Sequence, residues 1–132
     1  MEQLKEIIII DDDDRNIFAL SAVLKAKGFH CVSAVSGKEA LEKLMQNTIG
    51  LALIDMMMPE MDGYELIKKI RLIENYKSIP LIAVTAQAML GDKEKCLQAG
   101  ADGYISKPIS IDILLQILQQ HMPAGKIYYD RK

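Results

Sequence analysis

Four consecutive isoleucines at positions 7–10 open a pattern that recurs along the chain. A short apolar run is followed by a turn or polar cluster and then by a longer stretch with apolar residues at helical spacing. The runs at 7–10, 31–35, 51–54, 81–84 and 104–105 predict five strands. The stretches at 14–27, 38–46, 63–74, 89–99 and 111–121 predict five helices. Ser36 and Ser110 stand where N-caps belong, and Gly28 and Gly100 where C-terminal caps belong. The runs IIII and LALI are apolar without alternation, which suits strands covered on both faces in a parallel sheet flanked by helices. The expected fold is therefore a single doubly wound, five-stranded parallel α/β domain. In such sheets ligands bind beyond the carboxyl ends of the strands, where the strand order reverses.

Composition narrows this picture. The 132 residues suffice for one domain, and 50% hydrophobic with 26% charged residues is globular usage. The domain is expected to span 1–122, followed by a tail or linker stub at 123–132, where Pro123 and Gly125 end the last helix. A formal charge of −2 provides no basic field for nucleic acid. No apolar run approaches the roughly 20 residues needed to cross a bilayer, and the N-terminus lacks the pattern of a secretory leader. Neither nucleic-acid binding nor membrane contact is expected, and the location is expected to be cytoplasmic. Cys31 and Cys96 fit no metal-ligand spacing and read as packed, reduced thiols. The methionines Met56, Met57, Met58 and Met61 read as flexible gap-fillers.

The residues that close the strands carry the chemistry. Asp11 and Asp12 follow the first, Asp55 the third, Thr85 the fourth and Lys107 the fifth, so all should meet at one sheet edge. Carboxylates beside a cation and a hydroxyl suit Mg²⁺ and a phosphoryl group. Asp12 and Asp55 fit as direct metal ligands, and a carboxylate can itself be the nucleophile, forming an acyl phosphate. Lys107, Thr85 and the metal would then neutralise the transferring group.

The acidic pair Asp11-Asp12 after IIII, LIDMMMPEMDG at 53–63, AVTA at 83–86 and GADGYISKP at 100–108 resemble the receiver domains of two-component response regulators, over about residues 6–121. The resemblance implies the flavodoxin-like strand order 2-1-3-4-5 of the family's chemotaxis member. It implies that Asp55 accepts a phosphoryl group from a phosphohistidine on a sensor histidine kinase or histidine phosphotransfer protein. Asp12 would bind Mg²⁺ directly, Asp11 chiefly through water, with Asp55 and the Met57 carbonyl completing the protein ligands. Thr85 would contact the phosphoryl group, Lys107 would pair with it, and Tyr104 would be the aromatic that turns inward as Thr85 moves. Lys107-Pro108 is expected to be a cis peptide. The domain would act as a signalling switch that catalyses its own phosphorylation and dephosphorylation, not as an enzyme with a separate substrate.

Two rival readings exist. Asp11-x-Asp13 resembles the start of a haloacid dehalogenase phosphatase, which would place the phosphoryl group on Asp11, although Arg15 stands where that family has Thr or Val. The other is a receiver that no longer accepts phosphate and serves only as an interaction module. Two surfaces suggest partners. Ile17, Leu20 and Leu24 form the buried stripe of the first helix and leave Phe18 and Ala22 on a neighbouring face. The last helix carries more apolar residues than one stripe needs, which suggests a homodimer or output contact.

Overall fold

The four isoleucines divide between two cores, as successive side chains of a strand must. Ile7 and Ile9 pack with Ile17, Leu24, Leu114 and Leu118, whereas Ile8 and Ile10 pack with Ala40, Leu44, Leu66 and Ile67. The computed structural model describes residues 5–86 and 91–121. Strands β1 (Glu6–Ile10), β2 (Cys31–Ala34), β3 (Ile49–Asp55), β4 (Leu81–Thr85) and β5 (Gly103–Ser106) alternate with helices α1 (Asp14–Ala26), α2 (Gly37–Gln46), α3 (Gly63–Arg71), α4 (Asp92–Ala99) and α5 (Ile111–His121). The strands form one parallel sheet in the order β2-β1-β3-β4-β5, as the pattern and the resemblance predict.

Register aligns the carboxyl ends. Ile10 pairs with both Ala34 and Ile54, Asp55 with Val84, and Thr85 with Ser106. Every residue of β3 is buried, so this central strand delivers Asp55 to the edge from inside the molecule. The order reverses between β1 and β3, which places the ends of those two strands on either side of the crevice.

Helix starts follow local chemistry. Asp13, Ser36 and Asp62 cap α1, α2 and α3 by accepting from Arg15 N, Glu39 N and Glu65 N. Ser110 Oγ accepts from Ile113 N at 3.4 Å at the start of α5. Gly100 closes α4 at φ 118°, a left-handed backbone that suits glycine. Gly28 lies one residue beyond the cap of α1, which is Lys27.

Among the described residues, the helix boundary that departs most from the sequence pattern is the end of the third helix. The third helix was expected to reach 74 but ends at Arg71, followed by a 3-10 turn at Glu74–Tyr76. Here tertiary bonds overcome periodicity. The Arg71 guanidinium donates to the carbonyls of Lys77, Ile79 and Gly100 and to Asp102. Tyr76, 7% exposed, donates to Asn47 O at 2.7 Å, which needs the chain to fold back beneath α2. Helix α4 is described from Asp92; its expected first residues, Met89 and Leu90, lie outside the described residues, as does the tail expected at 123–132. Among the described residues, no helix is long and apolar enough to cross a membrane.

Candidate functional site

The residue after each strand inherits its position from the sheet. Asp11 follows β1 and its N–H donates to Ala34 O, extending the ladder by one bond. Its carboxylate accepts from Asp13 N at 2.9 Å and Asn16 Nδ2 at 3.3 Å. Asp55 ends β3, and its Oδ1 accepts from Met57 N at 3.1 Å. Asp11 and Asp55 are only 6% and 5% exposed, whereas Asp12 faces solvent. One carboxylate oxygen from each of Asp11, Asp12 and Asp55 lies within 4.8 Å of the others.

The cation arrives from the opposite side. Lys107 N donates to Thr85 O at 2.7 Å, which anchors the segment after β5 to the end of β4. Lys107 Nζ then lies 3.5 Å from Asp11 Oδ2 and 3.6 Å from Asp55 Oδ2. Lys107-Pro108 is cis, as expected. Thr85, 2% exposed, ends the strand beside β3. Asp11, Asp12, Asp55, Thr85 and Lys107 are thus brought to one edge, and Met57 sits two residues beyond Asp55 with its side chain exposed. Tyr104 is half-buried on β5 opposite Ala83, and burial raises its phenol pKa.

Close backbone approach shapes the loop beyond β3. A Cβ on Gly63 would lie 2.7 Å from Met56 Cα and 3.1 Å from Asp55 O, so only glycine lets α3 start against the acidic residue. Met56 and Met58 are buried and Met61 packs against the core, as gap-filling methionines do, whereas Met57, expected to do the same, is 56% exposed and fills no gap. Cys31 and Cys96 are free thiols, and burial pushes Cys31 up to about 11. A thiol so shifted is unreactive at neutral pH.

The electrostatics leave one negative charge poorly compensated. Burial raises the Asp55 pKa, as does the neighbouring Asp11 carboxylate, while the Met57 N–H and Lys107 oppose the shift. Hard oxygen donors without sulfur or imidazole fit Mg²⁺, which binds through one or two carboxylates and retains water. An ionised carboxylate at this position can also serve as a nucleophile, and a nearby ammonium and a metal would assist its attack on phosphorus.

Two polar residues of the neighbourhood escaped the sequence reading. Asn16, in the first turn of α1, bonds Asp11 and lines a cavity of about 510 Å³ that runs from Asp11 and Asp55 along Leu20 and Val23 to Ile109. Asp92, the first residue of α4, accepts from the Thr85 hydroxyl. Only proximity across elements reveals either role. Asp13 is committed elsewhere: it caps α1 and pairs with Arg15, which holds its carboxyl below the usual range. The Asp-x-Asp motif of the phosphatase reading therefore does not form one acidic site.

A buried acidic crevice with an adjacent lysine and hydroxyl, at the reversal point of a 2-1-3-4-5 sheet, defines a phosphoryl-accepting α/β switch domain. The chain belongs to the response regulator receiver domain family, whose model matches residues 7–119. It is 35% identical over 118 residues to the polar-differentiation response regulator DivK of Brucella ovis, covering 89% of this chain and 96% of DivK. It is 38% identical over 112 residues to the sensor histidine kinase RcsC of Salmonella typhimurium, covering 85% of this chain but only 12% of RcsC. The solved receiver domain of a Pseudomonas aeruginosa sensor histidine kinase, with magnesium in its active-site cleft, superposes with a TM-score of 0.81. That alignment has 34% identity and covers 90% of this chain and 98% of the other. Receiver domains act in two-component signalling as phosphoacceptor switches, and this chain shares that role.

Proposed function

We propose that Asp55 is the phosphoacceptor and that a phosphohistidine of a sensor histidine kinase or histidine phosphotransfer protein is the donor. A carboxylate oxygen of Asp55 attacks phosphorus as the P–N bond breaks; the electron pair goes to the departing nitrogen and, with the other ring nitrogen already protonated, neutral histidine and an acyl phosphate result. The observation that carries this reading is the position of Lys107 Nζ, within 3.6 Å of Asp55 and of Asp11 alike. Lys107 thereby stands ready to pair with phosphoryl oxygens, and Thr85 offers its hydroxyl from the next strand end. Asp12 and Asp55 would hold Mg²⁺ directly, with Asp11 through water and the Met57 carbonyl as a further ligand. When bound, the ion supplies positive charge against the phosphoryl oxygens.

Thr85 and Tyr104 form the switch in this reading. New charge-assisted bonds draw Thr85 toward the phosphoryl group and favour the packing with Tyr104 inward. The protein works in the cytoplasm in this account. Ile111 and Ile113, exposed on α5, are where a homodimer contact would form.

Docking of the donor is assigned to α1. Phe18 is 79% exposed in α1, one turn beyond Asp14 and next in sequence to Ala19, which lines the cavity that includes Asp11 and Asp55. An aromatic so exposed gains nothing within the fold, and exposed aromatics are frequent anchors of interfaces. Phosphotransfer from a phosphorylated histidine phosphotransfer protein, timed in Mg²⁺, tests the reading. Wild type should label and a chelator should stop it. Phe18→Ala should slow this transfer about tenfold, the loss of one modest hot spot, with the acetyl phosphate rate unchanged. Equal slowing with both donors would remove Phe18 from docking.

A further inference from the structure

Beyond the crevice, a second polar chain leads from Thr85 to the surface between α3 and α4. Thr85 Oγ1 donates to Asp92 Oδ2 at 3.4 Å. Asp92 Oδ1 accepts from the Tyr64 hydroxyl at 3.3 Å. Tyr64, from α3, also lies 3.8 Å from Cys96 Sγ, and Lys95 Nζ stands 4.7 Å from its ring centroid. Asp92 is not the N-cap of α4: that place is taken by Gly91, which has no side chain to offer. Its carboxylate is instead shared between the hydroxyl of β4 and the phenol of α3.

We propose that Asp92 is a positioning residue that holds the Thr85 hydroxyl away from the phosphoryl site and so opposes the switch. This rests on the reading of Asp55 as phosphoacceptor and of Thr85 as the hydroxyl drawn to it. A threonine hydroxyl has one proton to donate, so Thr85 cannot donate to Asp92 and to a phosphoryl oxygen together. The bond to Asp92 is long at 3.4 Å, whereas a hydroxyl bond to an anionic oxygen is typically about 2.5–2.7 Å and stronger. The exchange is therefore downhill once Asp55 is modified and reverses when the phosphoryl group leaves. Before modification, Asp92 lowers the fraction of molecules with Thr85 in the competent position, and apparent affinity for the phosphoryl group falls with that fraction. The Tyr64 hydroxyl fixes the Asp92 carboxylate from the far side, and the change at Thr85 is thereby felt at the α3–α4 surface.

The test is titration with beryllofluoride, a phosphoryl mimic, in excess Mg²⁺, followed by amide NMR. Asp92→Ala and Asp92→Asn are each measured with Thr85 intact and with Thr85→Ala. With Thr85 intact, Asp92→Ala should tighten half-saturation by about three- to tenfold, the worth of one part-buried hydrogen bond. Asp92→Asn, which keeps a weaker neutral acceptor, should give a smaller gain. In the Thr85→Ala background both changes should lose their effect, because there is no hydroxyl left to hold. The same gain in both backgrounds would mean simple removal of negative charge and would overturn the proposal, as would no gain with Thr85 intact. Asp55→Asn serves as the separate control: Mg²⁺-dependent binding that survives it would refute the phosphoacceptor reading, whatever the Asp92 variants do.

Discussion

Without metal at pH 7, Asp55→Asn protein unfolds at a higher temperature than wild type. Asp55 and Asp11 are both buried at the sheet edge, and a carboxylate oxygen of each lies within 4.8 Å of the other. Two like charges near 4 Å repel by about 4 kcal/mol at an effective dielectric of ~20. Lys107 cancels part of this, leaving an expected gain on the order of 1–2 kcal/mol for the neutral isostere. For a domain of this size that is roughly 4 °C per kcal/mol. The pH dependence has a definite sign. Burial and Asp11 raise the Asp55 pKa in the folded state, so the native protein holds this proton more tightly than the unfolded chain. The cost of Asp55 sets in as pH rises through its unfolded pKa of about 3.9 and is complete above the raised folded value. The advantage of Asp55→Asn should be larger at pH 7 than at lower pH and vanish toward pH 4. Paired thermal melts across that interval check it, and an equal or lower midpoint for the variant at pH 7 would contradict the electrostatic description.

Lys107→Ala should have the opposite effect. The ammonium lies within 3.6 Å of both carboxylates, and its side chain is only 25% exposed. Breaking a buried ion pair by removing one partner costs about 3–5 kcal/mol. Partial exposure and proton uptake by the orphaned carboxylates reduce this to about 2 kcal/mol at pH 7. The loss should shrink as pH falls toward 4 and the carboxylates protonate. Millimolar Mg²⁺ should recover much of it, because an ion held by the folded site and not by the unfolded chain stabilises the fold. The same variant should lose the coupling between phosphorylation and Tyr104, since Lys107 pairs with the phosphoryl group in this account. Denaturant melts with and without Mg²⁺ read the stability, and no destabilisation at pH 7 would mean that Lys107 does not neutralise the crevice.

The two results share one cause. In this account the crevice takes up a cation and a phosphoryl group that offset the repulsion among its own charges. The isoleucines that carry Asp11 to the edge and the fully buried β3 that carries Asp55 supply the stability that offsets it.

Much of this was legible because the sheet converts sequence order into position. Asp11, Asp55, Thr85 and Lys107 each sit at or just past a strand end, so finding the strands found the crevice. Asp13 stands just before a helix and caps it instead of joining the crevice. What was not legible depended on side chains meeting across elements. Asn16 reaches Asp11 only because α1 packs over the crevice, and Asp92 reaches Thr85 only because α4 begins beside β4. The end of α3 failed for the same reason: Leu72 and Ile73 continue an apolar pattern, but Arg71 and Tyr76 are held by carbonyls of distant segments.

The central claim is that Asp55 receives the phosphoryl group. The most direct measurement is intact mass after incubation with acetyl phosphate and Mg²⁺, for wild type and Asp55→Asn side by side. Wild type should carry an adduct of one phosphoryl group, absent from Asp55→Asn and from wild type treated with a chelator. An unchanged adduct on Asp55→Asn would contradict the claim.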